Sequence, residues 1–398
     1  MTVAERVARI VARVEAEGDA AVLELTRELD TEGREPWALR VDALQLDEAL
    51  EALPGPLREA LELAAGNVRA VALATVGADR EVTLPQGQVV TVREVPVRRA
   101  AVYVPGGRAP YPSTVIMGAV TAQVAGVEGI AVCSPPRADG DVDPVVLAAC
   151  ALCGVDEVYR MGGAQAIAAL ALGTETVPRV DVIAGPGNVF VQEAKRQLSE
   201  RVGIDSFAGP SELVVVLSEG ADVRLAALDL LAQAEHGPDS RVLAVSPDLN
   251  LLAAVASALG PAAGQEGASN VQLRPVADLS DALDFVEDVA PEHLQLVGAE
   301  AEALASRVRS AGCVFVGGAS GTAFGDYVAG SNHVLPTGGA ARFASALSVK
   351  TFRRHVTEVR IADAGELARA GAAIARAEGF AAHAESMEAR IRENGGDD

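Results

Sequence analysis

The chain holds five histidines, His236, His293, His333, His355 and His383, all beyond its midpoint, and four of them stand among polar neighbours. Imidazole is suited to proton transfer near neutrality and is a common ligand for borderline cations, so chemistry is sought first at these positions. In the run QAEHGPD, Gln233 and His236 are three apart at the end of an expected helix, which puts both on one face and lets them hold one ion. A histidine at the negative end of a helix dipole accounts for the same residues without a metal. Glu292 and His293 are adjacent in a segment expected as a loop between helix and strand, where they offer two bases to one substrate. A helix start, with Pro291 first and Glu favoured beside it, fits the same letters. Gly325-Asp326-Tyr327 and the run Gly330–Gly339, which contains His333, have the composition of a shaped functional loop. Asp326 suits a hard divalent cation, and it also suits an Asx turn. Glu378 and His383 are five apart in the tail, where a solvated helix face explains them by itself.

Phosphate handling has three candidates: Gly106-Gly107, Gly162-Gly163 and Gly185-Pro-Gly187-Asn188, each at an expected strand or helix boundary. No G-x-G-x-x-G fingerprint and no standard acidic ribose-binding signal is present, and tight turns account for the same glycines. Cys150 and Cys153 have redox spacing, but they fall late in an apolar helix without a second pair. Ser211, in Pro210-Ser211-Glu212, lacks the G-x-S-x-G elbow and reads as a ligand hydroxyl or a cap.

The elements that must position these residues follow from periodicity. Val3, Val7, Ile10, Val11 and Val14 recur at helical spacing, a second helix runs from Asp19 to Leu29, and a third from Leu57 to about Thr75. Val82 to Val92 around Pro85-Gln86-Gly87 predicts a hairpin. From Ala101, short strands (101–104, 130–133, 158–159, 180–183) alternate with helices (114–124, 144–153, 165–172, 190–198), the rhythm of a parallel, doubly wound sheet. Leu213–Leu217 opens a second series: a helix to Gln233, strand 242–245, a helix near 251–259, a loop over 260–269 and strand 313–316. Strands are expected to end after Thr337, leaving a helical tail from Glu366 to Arg392 and a frayed end from Asn394 to Asp398.

At 398 residues, two or more domains are expected. Aromatics make up only 3%, so Ala, Val and Leu must build the core. A net charge of −22 argues against nucleic acid and anionic membranes as partners. No secretory signal and no bilayer-length apolar run is visible, and four cysteines form no disulfide framework, so a cytoplasmic location is expected.

Taken together, these segments resemble the histidinol dehydrogenase family. The resemblance runs in order through Tyr103–Gly107, Cys133–Pro136, Gly162–Ile167, Gly185–Asn188, Glu193–Arg196, Ala208–Glu212, Gln233–Asp239, Pro291–His293 and Asp326–Thr337. It implies one zinc ion per subunit, held by Gln233, His236, Asp326 and His383, with Glu292 and His293 as the catalytic pair. Ser211, His333 and Glu378 match substrate-contacting positions around His293 and the metal ligands, and Tyr103, Gln165 and Asn188 match the NAD site. The implied reaction oxidises L-histidinol through histidinal to L-histidine with two NAD+. The implied fold is α/β, with two incomplete Rossmann-like doubly wound domains plus small helical C-terminal domains. The corresponding domains are residues 1–102 with 213–347, 103–212 on the NAD side, 348–371, and 372–398. The last is a tail that reaches the partner subunit of an obligatory homodimer. The family's usual short segment ahead of the first helix is not seen before Val3, Ala346 stands where Gly is common, and 322–324 is a less common variant. Alternatives are a dehydrogenase of another small diol or amino alcohol, or a catalytically retired nucleotide- or metal-binding protein. Retention of Glu378, His383, Glu292 and His293 favours histidinol oxidation.

Overall fold

The computed structural model describes residues 1–34, 38–106, 109–260 and 271–391. Gly107, most of the expected 260–269 loop, Arg392 and the 394–398 end lie outside them. Contacts divide the chain into two compact units, Met1–Val76 with Val97–Phe352, and Gly77–Pro96 with Arg353–Asp398.

The first unit begins with helices Val3–Glu17 and Asp19–Leu29, the former opened by a capping box between Thr2 and Glu5. Their apolar stripe (Val7, Val14, Val22, Leu25) is buried against Ala101, Tyr103, Ile167 and Leu170. The expected hairpin is present as β1 (Arg80–Thr83) and β2 (Val89–Pro96), paired antiparallel.

The first Rossmann-like sheet comprises β3 (Arg99–Tyr103), β4 (Gly129–Ser134), β5 (Glu157–Arg160), β6 (Val182–Ala184) and β7 (Gly203–Ile204). They are parallel in the order β5-β4-β3-β6-β7. The period of two is explicit in the packing. Ala101, Tyr103, Ala131 and Cys133 join one core, while Val102, Val104, Val132 and Val158 join the other with helix Pro112–Ala125. Both faces are therefore covered, as an all-parallel sheet requires.

The second sheet comprises β8 (Glu212–Leu217), β9 (Arg241–Ser246), β10 (Val271–Pro275), β11 (His293–Val297) and β12 (Cys313–Val316). It is parallel in the order β10-β9-β8-β11-β12. Its alternation again sorts Leu213, Val215 and Leu217 from Val214, Val216 and Leu296. Leaving β7 at the carboxyl edge of the first sheet, the chain enters β8 at the amino edge of the second. Seven residues, 205–211, make the link, so the two edges lie within roughly 28 Å.

The second unit contains β1, β2 and β13 (Arg353–Arg360), which pairs with β2 over eight positions. Strands therefore do not end after Thr337. Residues 353–360 are mostly exposed and highly charged, so they carry no buried face by which a strand could be recognised. Helices Gly365–Ala377 and Ala381–Glu388 close this unit around Ala372, Ala375 and Ala384.

Candidate active site

Glu292 lies in the loop between helix and strand expected from sequence, while His293 is already the first residue of an interior strand. Helix Leu279–Val289 ends at Ala290 in the left-handed region, and three residues later His293 opens β11 between β8 and β12. That placement buries both side chains.

Glu292 Oε2 accepts from the Ser211 hydroxyl at 2.7 Å and from the Glu212 N–H at 2.9 Å. Ser211 Oγ in turn accepts from Gln233 Nε2 at 2.7 Å. The Gln233 amide nitrogen is thus spent on Ser211, leaving its oxygen as the atom a cation would take. Glu212 is itself buried and accepts from the Gly338 N–H at 3.2 Å. Burial raises its carboxyl despite that bond.

His293 Nδ1 is 3.1 Å from the Glu212 carbonyl oxygen. A carbonyl only accepts, so Nδ1 carries a hydrogen and Nε2 is the basic nitrogen of the neutral ring. Nε2 faces Asp326 Oδ1 at 3.6 Å, and Nδ1 is 3.5 Å from Glu292 Oε2. Burial pushes the imidazole down, but Asp326 and Glu292 outweigh it and hold it at about 10. Asp326 is the reciprocal case: burial opposes its charge, and His293, with smaller contributions from His333 and His236, holds it below the usual range.

Asp326 lies in the short helix Thr322–Tyr327. His333 Nδ1 donates to the Asp326 carbonyl at 2.8 Å, and its Nε2 is 3.3 Å from Thr114 Oγ1. Asn332 donates to the Met117 carbonyl at 3.0 Å, docking this loop on helix Pro112–Ala125 of the first sheet.

Ser211, Gln233, Glu292, His293, Asp326 and His333 thus form one connected cluster. His236, just beyond helix Val223–Ala234, is exposed and close enough for its charge to act on Asp326. Among the described residues, no three His, Cys, Asp or Glu side chains form a ready cation cage. The candidates in this unit are one amide, one imidazole and one carboxylate, a mixed oxygen–nitrogen set one short of four-coordination. Glu378 and His383 are exposed in the second unit, on either side of the break between its helices. His355 is also there, with Nε2 2.7 Å from Glu94 Oε1, a local hydrogen bond within that unit.

A cavity of about 600 Å³ opens beyond the carboxyl ends of the first sheet's strands. Tyr103, Gly106, Gly163, Gln165 and Asn188 all line it. The strand order reverses between β3 and its neighbours β4 and β6, where doubly wound sheets receive nucleotides. Asn188 caps helix Val189–Leu198, its Oδ1 accepting from Phe190 N–H at 3.0 Å and Val191 N–H at 3.2 Å. The preceding turn is clamped from beneath. Buried Lys195 donates to the Gly185 carbonyl at 2.6 Å and to Asp205 Oδ1 at 2.7 Å, while Asp205 Oδ2 accepts from the Gly185 N–H at 2.7 Å. Lys195 lies inside the Glu193–Arg196 segment named above but is given no role of its own there, and Asp205 and Asp30, another cavity residue, carry no local signal because a single carboxylate at the end of an element looks solvated.

Cys150 and Cys153 are free and buried, and burial raises both thiols, Cys153 to about 12. They are packing residues.

The family model described as histidinol dehydrogenase matches residues 1–391. A histidinol dehydrogenase of Synechococcus sp. is 44% identical over 395 residues, covering 96% of this chain and 91% of the relative. That of Ruegeria pomeroyi is 44% identical over 396 residues, with 97% and 91% covered. The crystal structure of histidinol dehydrogenase from Elizabethkingia anophelis matches with a TM-score of 0.93 at 31% identity, covering 98% of this chain and 92% of that one.

Proposed function

Because the chain belongs to the histidinol dehydrogenase family, we propose that the Glu292–His293 cluster oxidises L-histidinol through L-histidinal to L-histidine with two NAD+. The observation that carries this reading is the buried adjacency of two proton acceptors, each held by separate partners: Ser211 and the Glu212 N–H for Glu292, the Glu212 carbonyl for His293.

Each half-reaction needs a proton removed from oxygen as hydride leaves carbon for the nicotinamide of bound NAD+. His293 Nε2, the nitrogen not turned to the Glu212 carbonyl, takes the hydroxyl proton of the alcohol in the neutral form of the ring, which is favoured once the Asp326 charge that raises the imidazole is neutralised. The aldehyde must then add water: Glu292 takes a proton of that water as its oxygen bonds to the carbonyl carbon, and His293 returns its proton to the carbonyl oxygen, leaving the ring neutral again. The hydrated aldehyde loses its second hydride with His293 again receiving a hydroxyl proton, giving the carboxylic acid without a thioester. Ser211 holds Glu292 in place, and His333 fixes the loop that carries Asp326.

The donor set fits zinc: the Gln233 amide oxygen, a His236 nitrogen and an Asp326 oxygen, with the partner's His383 as fourth ligand. Held by these residues, zinc would supply a cationic anchor for the substrate's amine and imidazole and would neutralise the Asp326 carboxylate. Glu378 contacts the substrate from the same tail. An obligatory dimer accords with the apolar surface near these residues, since Ile374 and Phe380 are 61% and 54% exposed, and Phe324 and Tyr327 beside Asp326 are 56% and 60% exposed. Tyr103, Gln165 and Asn188 would hold NAD in the cavity of the first sheet.

No described helix is long and apolar enough to cross a membrane. The buried free thiols suit the reducing cytoplasm.

The test is reduction of NAD+ by the purified dimer with L-histidinol and zinc. About two NAD+ per histidinol are expected, with activity lost on chelation and restored by zinc. A zinc-loaded dimer that reduces no NAD+ with histidinol would refute the substrate.

A further inference from the structure

One wall of the first-sheet cavity is acidic, and the chemistry derived so far leaves it unused. Asp30 closes helix Asp19–Leu29, its N–H bonded to the Thr26 carbonyl at 2.9 Å, and its side chain faces the cavity. Asp30 Oδ2 accepts from Gln165 Nε2 at 3.3 Å. Gln165 is 1% exposed, and its other end, Oε1, is buried without a hydrogen-bond partner. That oxygen sits against Gly163, where an added Cβ would lie 2.7 Å away. The Tyr103 hydroxyl, also on this wall, accepts from the Gly163 N–H at 3.1 Å. Burial raises that hydroxyl, and the nearby Asp30 charge adds to the effect.

This corner therefore presents acceptors: a carboxyl group and an orphaned amide oxygen. A buried acceptor without a donor is costly, so the missing complement is a group rich in O–H or N–H. A phosphate monoester brings only further acceptors and like charge, whereas a ribose brings neighbouring hydroxyls. In the common Rossmann arrangement an acidic residue about 20 positions after the glycine turn receives those hydroxyls. Here β4 ends in Ser134-Pro135-Pro136, with no acid, and the carboxylate arrives from the N-terminal helix pair. None of Ser211, Glu292, His293, Asp326 or His333 lines this cavity, so it receives the part of a dinucleotide remote from the reacting carbon.

We propose that Asp30, with Gln165 Oε1 beside it, binds the hydroxyls of the adenosine ribose of NAD and excludes a 2′-phosphate. The proposal rests on the cavity being the NAD site. Burial alone holds the Asp30 carboxyl at about 7, so hydroxyl donors that stabilise its charged form have much to add there.

The test measures equilibrium binding of NAD+, NADP+ and 2′-deoxyadenosine NAD+ to the zinc-loaded enzyme, Asp30→Ala and Asp30→Asn, by calorimetry without substrate. The unaltered enzyme is expected to prefer NAD+ over NADP+ by about 100-fold or more, and to lose roughly tenfold with the deoxy analogue. Asp30→Ala is expected to bind NAD+ roughly tenfold more weakly, to hold NADP+ unchanged or tighter, and to treat NAD+ and its deoxy analogue alike. Asp30→Asn, close in size, gives the same pattern with smaller amplitude and decides the matter if the alanine variant does not fold. Equal losses for all three ligands, or an unchanged NAD+/NADP+ ratio in a variant that binds NAD+, would overturn the assignment of Asp30 while leaving the cofactor site standing. Absence of NAD+ binding to the unaltered enzyme would remove the cofactor site and this inference with it.

Discussion

At the scale of single residues, the site divides its work by what each polar atom is already bonded to. His293 Nδ1 is committed to a carbonyl and Glu292 Oε2 to two donors, so the two bases are held separately although adjacent in sequence. His293→Ala is expected to slow histidinol oxidation about 10²–10⁴-fold, the usual range for a lost general base. Glu292→Ala should spare that step more and chiefly slow histidinal oxidation; assays started from each substrate separate the two, and equal losses would contradict the division. Ser211→Ala removes one donor from Glu292 and the acceptor for Gln233, and is expected to lower kcat/KM by about 1–3 kcal/mol, roughly 5- to 150-fold. Asp30 carries a pH prediction. Its folded-state pKa, about 7, lies above the ordinary 3.8, so the folded chain binds the extra proton and stability falls as pH rises between those values. Asp30→Asn should flatten the stability–pH slope of the cofactor-free protein in that window. A slope identical to that of the unaltered chain in denaturant titrations would show that Asp30 does not contribute it.

Elements decide where those atoms point. The Gly185 turn follows β6 with φ +114°, and a Cβ there would lie 2.1 Å from the Tyr103 carbonyl oxygen. Only glycine lets the β3 and β6 ends approach this closely. The Lys195–Asp205 pair then satisfies both Gly185 backbone groups. Lys195→Met strands Asp205 as a buried charge and should destabilise the fold by about 3–5 kcal/mol, read as a lower denaturant midpoint. NAD+ affinity should fall in any variant that remains folded, because Asn188 follows the loosened turn. Retained stability would mean that water enters and solvates Asp205. Much of this level was legible beforehand: strand alternation of Ala101 to Val104 and Leu213 to Leu217 reports two buried faces directly. His293 was misplaced in a loop because a strand start after Pro291-Glu292 has no alternation ahead of it.

Across the whole molecule, the proposed site depends on a tail supplied by the partner subunit. Glu378 and His383 belong to a different compact unit from Glu292 and His293. If each tail completes its partner's site, His293→Ala and His383→Ala dimers, each nearly inactive, should regain activity when unfolded together and refolded. Random pairing makes half the dimers mixed, each with one intact site, so about a quarter of the unaltered activity is expected. A mixture as inactive as its parents would place His383 in its own chain's site.

Local letters suffice for the α/β class, the two strand series and the identity of the polar residues, because periodicity and residue chemistry are properties of neighbouring positions. They also carry the ordered motifs by which the family is recognised. Which of those residues meet is another matter. Ser211, Gln233, Glu292 and Asp326 span more than a hundred positions; the pairing of β8 with β11 brings Ser211 and Glu292 into hydrogen bonding, and a loop docked on a helix of the other sheet sets Asp326 3.6 Å from His293. Asp30 is the extreme case: a charge at a helix end looks solvated until tertiary packing sets it beside a buried amide whose oxygen has no partner. Hydrogen bonds act over about 3 Å and carry no trace of sequence separation, so such contacts are decided by the fold.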